Sequence, residues 1–319
     1  MSEPVLRIGT RRSPMAMTQT RQVADALTAQ TGRQVELVGI TSSGDVNAGE
    51  LTQIGGTGVF VSALRGALLA GEVDLAVHSM KDLPTGAAEG IVMAAVPVRD
   101  DPRDALAAQD GAKLADLPRG ARIGTGSPRR AAQLLMLRAD LRPVPVRGNA
   151  GTRLGRVESG DLDAVVLAHA GLARIGRLDA VTQVFEPDEM LPCPGQGALA
   201  VECRAGREDL VALLACVDDK NSRAATTAER SMLAALATGC GAPVGAYAAG
   251  ADVLRLRGVV VAADGGTALR GSASGPLAMA EAIGRQVASE LLSRGAGTYT
   301  AVSGRAEPGG HISSGDDDR

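Results

Sequence analysis

The sequence predicts an α/β fold of two similar domains, followed by a small α+β domain. Apolar runs alternate with helical segments from the start of the chain to about residue 215. Two short segments near the start recur later in the chain, and the pattern of runs changes after about residue 216. Strands that alternate with helices are typical of α/β domains with mainly parallel sheets.

Short apolar runs bounded by polar residues predict the strands of the first two domains. The predicted strands are Leu6–Gly9, Val35–Thr41, Asp74–Ser79, Ile91–Val98, Arg122–Gly124, Arg142–Val146, Asp163–Leu167 and Gly197–Cys203. The predicted helices between them are Pro14–Gln30, Phe60–Ala70, Pro128–Arg138 and Thr152–Glu158.

The internal similarity predicts that the two domains resemble each other. Arg7–Pro14 reads RIGTRRSP and Arg122–Pro128 reads RIGTGSP, while Gly71–His78 is similar to Gly160–Leu167. Chance could produce one such match between short strand-turn-helix segments, but two in the same order favour a repeated domain. The polar, proline-containing stretch Val98–Asp104 lies between the halves and is interpreted as a hinge or linker.

The remainder of the chain predicts a separate domain of helices and antiparallel strands. A tight turn at Ala263–Gly266 is typical of a hairpin. The polar tail from about Gly304 is expected to be disordered. The predicted elements are the helices Ser222–Ala237 and Leu277–Ser293 and the strands Val244–Ala248, Val253–Ala262 and Ala268–Ser274.

Composition excludes several classes of function. Two Phe, two Tyr and no Trp leave few rings for stacking single-stranded nucleic acid. A net charge of −3 gives no general attraction to DNA or acidic membranes. With no signal-peptide pattern and no apolar run near 18 residues, a cytoplasmic protein is expected. Four cysteines without a C-x-x-C pair and three histidines predict reduced thiols and no metal site.

Arginines at two predicted helix starts indicate an anion-binding site. Ser13 and Ser127 are each followed by proline, which is typical of helix N-termini. The adjacent cations are Arg11, Arg12, Arg129 and Arg130. A cation at a helix N-terminus is disfavoured by about 0.3–1 kcal/mol, so four of them make sense if an anion lies among them.

Two further arginines flank a glycine-rich turn between a predicted strand and a helix. Arg147 and Arg153 lie where ligands of open α/β sheets collect, although solvated surface arginines are the alternative interpretation. Several guanidinium groups together favour a ligand with several carboxylates or phosphates, each bound by two hydrogen bonds. Gly55–Gly58 is only weakly similar to a phosphate-binding loop, and a glycine hinge explains it equally well.

Two other positions could carry chemistry. Lys81 and Asp82 follow an apolar strand, where an acid beside a cation can move protons or stabilise a developing cation. A surface ion pair is the alternative, and His78 on the same strand is interpreted as structural. Cys240 lies between two glycines after a helix and is the best candidate for an accessible thiol.

Taken together, these segments resemble the porphobilinogen deaminase family. The similarity extends in order from about residue 5 to residue 300, and HSMKDLP and RGNAGTR are the most specific segments. The matching segments are RIGTRRSPMA, AVHSMKDLP at 76–84, DDPRDA at 100–105, GTGSPRRAAQL at 124–134, RGNAGTRL at 147–154, GQGALAVECR at 195–204, AERSML at 228–233 and GCGAPVGAYA at 239–248.

The resemblance implies a three-domain fold. The first two domains would be like the halves of a periplasmic binding protein, facing each other across a cleft. Residues 1–98 and 198–215 would form the first domain, 99–197 the second and 216–303 the third, with 304–319 as a disordered tail. The strand near Gly197–Cys203 would therefore return to the first domain.

The resemblance also implies the activity of hydroxymethylbilane synthase, a monomeric transferase of porphyrin biosynthesis. Four porphobilinogen molecules would be joined head to tail with release of ammonia, on a dipyrromethane cofactor bound by a thioether to Cys240. Asp82, beside Lys81, matches the catalytic aspartate. The residues implied to bind cofactor or substrate carboxylates are Arg11, Ser13, Thr125, Ser127, Arg129, Arg130, Arg147, Arg153 and Arg174.

The chain departs from the family pattern at three positions. Thr57 stands where many relatives have lysine, Gly126 replaces a common serine, and Cys193 replaces a small apolar residue. A non-enzymatic anion-binding module is the alternative function, since solute receptors and effector domains use a similar cleft. That alternative leaves the third domain and Cys240 without a role, and the sequence shows no helix-turn-helix segment.

Overall fold

The computed structural model describes residues 4–41, 56–238 and 241–300, and the side chains of residues 56–60 are not among those described. Within these ranges the chain forms two five-stranded sheets and one three-stranded sheet. Each sheet has its own cluster or clusters of buried apolar residues. The expected arrangement of two α/β domains and a small α+β domain is confirmed.

The first sheet has the strand order β2-β1-β3-β10-β4. β1 is parallel to β2 and β3, whereas β10 is antiparallel to both β3 and β4. Its strands are β1 (Leu6–Arg11), β2 (Val35–Ile40), β3 (Leu75–Ser79), β4 (Ile91–Ala95) and β10 (Leu199–Arg204). The accompanying helices are α1 (Pro14–Thr31), α2 (Gly56–Leu69) and α6 (Glu208–Leu214).

The second sheet has the order β7-β6-β8-β5-β9 and the same pattern of directions. β6 is parallel to β7 and β8, and β5 is antiparallel to β8 and β9. Its strands are β5 (Asp104–Ala108), β6 (Arg122–Gly124), β7 (Arg142–Val144), β8 (Ala164–Ala168) and β9 (Gln183–Val184). The accompanying helices are α3 (Pro128–Leu137), α4 (Ala150–Glu158) and α5 (His169–Arg174).

The similar segments of the sequence occupy equivalent places in the two sheets. One pair forms β1 and β6, the second strand of each sheet, and the other pair forms β3 and β8, the third strand. The chain passes between the sheets twice, through residues 96–103 and 185–198. The fourth strand of each sheet, β10 or β5, is the antiparallel one and directly adjoins one of these crossings.

The C-terminal unit packs two helices against an antiparallel sheet. The helices α7 (Lys220–Ala235) and α8 (Ala280–Ser293) approach closely because Gly284 has no side chain; a Cβ there would lie 2.4 Å from the Ala228 carbonyl oxygen. The sheet order is β11-β12-β13, and a short helix follows. These elements are β11 (Val244–Ala249), β12 (Val253–Val261), β13 (Ala268–Pro276) and α9 (Gly297–Thr300).

Five of the helices and strands described above were not predicted from the sequence: β5, β9, α5, α6 and α9. The strand β5 begins with Asp104, a charged residue at the end of the predicted linker Val98–Asp104. The helix α5 is only six residues long, too short for a periodic pattern.

No helix among the described residues is long and apolar enough to cross a membrane. The predicted disordered tail, 304–319, lies outside the described residues.

Candidate active site

A cavity of about 580 Å³ opens between the first two sheets. It is lined on one side by residues from β1, α1 and the end of β3, and on the other by residues of α5. Five residues of the predicted site line it, namely Arg11, Ser13, Lys81, Asp82 and Arg174. The structure therefore brings together parts of the sequence that are more than 160 positions apart.

The ends of parallel strands place the first group of these residues. Arg11 ends β1, and Ser13 is the N-cap of α1, where its side chain accepts a hydrogen bond from Ala16 N. Lys81 and Asp82 lie in a 3₁₀ turn that directly follows β3. Because β1 and β3 are parallel neighbours, their carboxyl ends meet at one edge of the sheet, where ligands of open α/β sheets bind.

Lys81 and Asp82 form the charged centre of the cavity wall. Burial lowers the pKa of the Lys81 ammonium group, and the neighbouring Asp82 carboxylate opposes that shift. The positive charge of Arg130, from the second domain, also lowers the pKa of Lys81. The interpretation of Lys81 and Asp82 as an isolated surface ion pair does not account for this setting.

His78 lies behind this turn in a buried ionic group. Its Nε2 is 3.3 Å from Glu202 Oε2, and Arg65 donates two hydrogen bonds to the same carboxylate at 2.6 and 3.0 Å. Burial alone would raise the pKa of Glu202, but Arg65 and His78 lower it to about 2. These contacts tie α2, β3 and β10 together, in agreement with the structural role expected for His78.

Arg129 and Arg130 are buried and share one internal anion. Arg129 Nη1 lies 2.6 Å from Asp104 Oδ2, and Arg130 Nε donates to Asp104 Oδ1 at 2.9 Å. Asp104 is wholly buried, and the two arginines are 2% and 6% exposed. The anion that offsets these two cations at the α3 N-terminus is thus a carboxylate of the chain itself. Their predicted contact with ligand carboxylates remains a prediction.

Gln196 connects this buried group to the crossing segments. Its Nε2 donates to Asp104 Oδ1 at 2.9 Å and to the Pro102 carbonyl at 2.7 Å, and its Oε1 accepts from Arg130 at 3.3 Å. Both crossings between the sheets therefore meet at Asp104. Neither Asp104 nor Gln196 was a predicted site residue, although both lie within segments that carry the family resemblance.

The remaining predicted residues of the second domain lie at the N-termini of α3 and α4. Ser127 caps α3, and its backbone N–H donates to Thr125 Oγ1 at 3.2 Å. Arg147 is exposed, while Arg153 is half-buried and donates from Nε to the Gly148 carbonyl at 2.9 Å. Burial lowers the pKa of Arg153, and the nearby Arg130 lowers it further. None of these four lines the 580 Å³ cavity.

Arg174 closes the cavity on the side of α5. Its Nη2 lies 2.7 Å from Asp100 Oδ2 and donates to the Gly197 carbonyl at 2.9 Å. Its Nε is buried and has no hydrogen-bond partner among the described residues. Arg174 therefore touches both crossing segments and retains one donor for a ligand. Asp100 was not identified from the sequence as its partner.

Cys240, the predicted attachment site, lies outside the described residues. The helix α7 ends at Ala235, a few positions before it, and β11 begins at Val244. Among the described residues, no group of three or more His, Cys, Asp or Glu side chains could hold a metal ion.

Known protein structures give a partial match. The Bordetella pertussis BvgS VFT2 domain is 18% identical, with a TM-score of 0.42 over 67% of this chain and 87% of that one. An ancestral cationic amino acid solute binding protein is 19% identical, with a TM-score of 0.43 over 66% and 86%. These structural similarities are too weak to support an argument about the fold, which is defined by the chain's own sheets.

Sequence comparison is far more specific. The porphobilinogen deaminase dipyromethane cofactor binding domain matches residues 6–212, and the C-terminal domain of that family matches residues 224–293. Porphobilinogen deaminase of Thermobifida fusca is 60% identical over 96% of this chain and all of its own length. Porphobilinogen deaminase 1 of Streptomyces coelicolor is 57% identical over 93% and 97%. The chain belongs to the porphobilinogen deaminase family.

Proposed function

We propose that the protein is a hydroxymethylbilane synthase, a transferase that condenses four porphobilinogen molecules head to tail and releases ammonia at each step. The observation that carries the proposal is the cavity that holds Lys81 and Asp82 beside Arg11 and Arg174, in a chain matched by both domains of the family. A linear tetrapyrrole with acetate and propionate groups on every ring is a polyanion, which an arginine-rich cleft suits.

A dipyrromethane cofactor attached by a thioether to Cys240 is part of the proposal. The chemistry of the donors supports its fit: Arg174 Nε is buried without a hydrogen-bond partner among the described residues, and Arg11 and Ser13 line the same cavity. When bound, the cofactor supplies the carbon nucleophile that receives the first substrate unit. Arg11, Ser13 and Arg174 would hold its carboxylates and those of the substrate.

The arginines at the α3 and α4 N-termini would extend this carboxylate-binding surface. Arg147 is exposed, and Arg153 lies in the electrostatic range of Arg130. The backbone N–H groups of the two helix starts add donors for anions. Thr125, Ser127, Arg129 and Arg130 belong to the same proposed surface, with the last two also held by Asp104.

Asp82 would act on the reacting atoms. Its carboxyl group would assist the departure of ammonia and then stabilise the positive charge that develops on the substrate pyrrole. Lys81 beside it would keep the local charge balanced and interact with substrate carboxylates. Charge stabilisation of this kind is strongest where water is excluded.

The proposal also covers the setting of the enzyme. We assign residues 1–98 and 198–215 to the first domain, 99–197 to the second and 216–303 to the third, as the sheet memberships support. The protein would act as a cytoplasmic monomer, with a small polycarboxylate as its partner and neither nucleic acid nor membrane bound.

Intact mass spectrometry tests the proposed cofactor directly. An active preparation of the protein is expected to weigh more than its sequence by the mass of two linked pyrrole units, because the thioether survives denaturation. The Cys240→Ser variant is expected to have the mass of its bare sequence and to lack turnover.

Cys216→Ser provides the matched control, because Cys216 is a free and exposed thiol outside the cavity. This variant should keep both the added mass and the activity. An active wild-type protein with the bare sequence mass would disprove the cofactor assignment, and an adduct that persists in Cys240→Ser would move the attachment site to another cysteine.

A further inference from the structure

The 3₁₀ turn that carries Lys81 and Asp82 is attached to the first domain by two buried side chains and by backbone hydrogen bonds. Met80 N donates to the Ala198 carbonyl at 3.0 Å, and Leu83 N closes the turn onto the Met80 carbonyl at 3.2 Å. Met80 and Leu83 are buried, at 0% and 2% exposure. Their side chains pack into a buried apolar cluster of the first domain. The carbonyls of Met80, Leu83 and Pro84 accept hydrogen bonds from the C-terminal unit.

One arginine of α7 binds those carbonyls. Arg230 Nη1 donates to the Leu83 carbonyl at 2.9 Å and to the Met80 carbonyl at 3.3 Å, and its Nη2 donates to the Pro84 carbonyl at 2.6 Å. A guanidinium presents a rigid, planar set of donors, so three acceptors bound at once fix the turn in position and orientation. The contacts bracket Lys81 and Asp82 in sequence, on both sides.

The helix that carries Arg230 is itself firmly held at this point. The preceding residue, Glu229, is wholly buried and accepts two hydrogen bonds from Arg99, at 2.7 and 3.0 Å. The same carboxylate accepts from Gly195 N at 2.7 Å and from Ala248 N at 2.8 Å. Because the helix is held in place at Glu229, the hydrogen bonds of Arg230 hold the turn in a fixed position relative to the C-terminal unit.

An open space beside the turn explains why these contacts matter. A second cavity, of about 450 Å³, is lined by Met80, Thr85 and Arg230, among others. Close packing would hold a turn without further help, whereas a turn beside an open cavity can relax into it. The three hydrogen bonds from Arg230 oppose that movement.

We infer that Arg230 is a positioning residue for the reaction, which fixes Asp82 in the cleft through the backbone of residues 80–84 without touching substrate. The inference rests on the proposed function. Misplacing a catalytic group by about 1 Å can cost about 100-fold in rate. In the proposed function, substrate affinity depends mainly on the arginines that line the cleft, and Arg230 does not line the 580 Å³ cavity.

Steady-state kinetics of the holoenzyme with porphobilinogen, read as ammonia release, tests the inference. Arg230→Gln is expected to lower kcat at least about tenfold and to change KM by less than about threefold. Arg230→Lys keeps the charge but presents a single donor group, so its kcat should fall between those of wild type and Arg230→Gln. If Arg230→Gln does not fold, the kcat of Arg230→Lys decides.

Arg223 supplies a matched control on the same helix. It too donates to backbone carbonyls of the first domain, Met93 at 3.3 Å and Ala94 at 2.9 Å, but both of these belong to β4 and not to the turn. Arg223→Gln should lose thermal stability and keep kcat. A fall in kcat that is confined to the Arg230 variants supports the inference.

Two results would overturn the inference while leaving the proposed function intact. One is an unchanged kcat in folded Arg230→Gln, or in Arg230→Lys where the glutamine variant does not fold. The other is an equal loss of kcat in the Arg230 and Arg223 variants, which would show a general effect of domain contact. A folded wild-type protein that releases no ammonia from porphobilinogen would overturn the proposed function, and this inference with it.

Discussion

Asp82→Asn is expected to lower kcat by about 10²- to 10⁴-fold, which is the usual contribution of a group that transfers a proton in the transition state. Asparagine has the same shape as aspartate but carries no charge and cannot give up a proton. Asp82 is only half-buried and ends a turn whose backbone Arg230 and Ala198 hold. The fold and the thermal midpoint should therefore change little.

Asp116→Asn is a suitable control for that measurement. Asp116 also ends a three-residue 3₁₀ turn, Leu114–Asp116, but it is exposed and does not line the cavity. Rates of ammonia release should fall in the Asp82 variant alone, with both variants showing wild-type circular dichroism. Turnover of Asp82→Asn within about threefold of wild type would assign the proton chemistry to another group.

Asp104→Asn is expected to have the largest effect on stability, about 3–5 kcal/mol. The substitution leaves two buried guanidinium groups, Arg129 and Arg130, without the carboxylate that both of them bind. Removing one partner of a buried ion pair is far more destabilising than replacing the whole group, because the remaining charges stay desolvated. Denaturant unfolding followed by circular dichroism measures the change in the free energy of unfolding.

The pH dependence of stability provides an independent check on Asp104. Burial alone would raise the pKa of its carboxyl group, but Arg129 and Arg130 outweigh burial and hold the pKa well below its usual range. A lowered native pKa means that the stabilisation is complete above the unfolded value near 4 and is lost as the pH falls further. The gap between wild type and Asp104→Asn should be constant near neutrality and narrow below about pH 4.

Asp161→Asn is the control for the stability measurement. Asp161 also pairs with two arginines, Arg122 and Arg156, but its side chain is 44% exposed. Exposed pairs contribute about 0–1 kcal/mol, so this variant should remain close to wild type. Equal losses in the free energy of unfolding for Asp104→Asn and Asp161→Asn would mean that burial does not increase the contribution of Asp104 to stability.

The sequence by itself determined most of the strands and helices, the repeat of the two domains and the change of pattern near residue 216. Those features depend on local periodicity and on capping residues such as Ser13 and Ser127, which act within one helical turn of themselves. The sequence also predicted a site at Lys81 and Asp82, because an acid and a cation beside each other at a strand end form a local signal, and both residues line the cavity.

Only the tertiary structure decided which charges meet. The sequence predicts that Arg129 and Arg130 bind an external anion. In the structure both arginines, from the helix α3, bind Asp104 of the strand β5. Arg174 likewise pairs with Asp100, and Arg230 reaches a turn nearly 150 positions earlier in the chain. Ion pairs and backbone contacts at such separations depend on how the sheets and helices pack together, and a local sequence pattern carries no information about that packing.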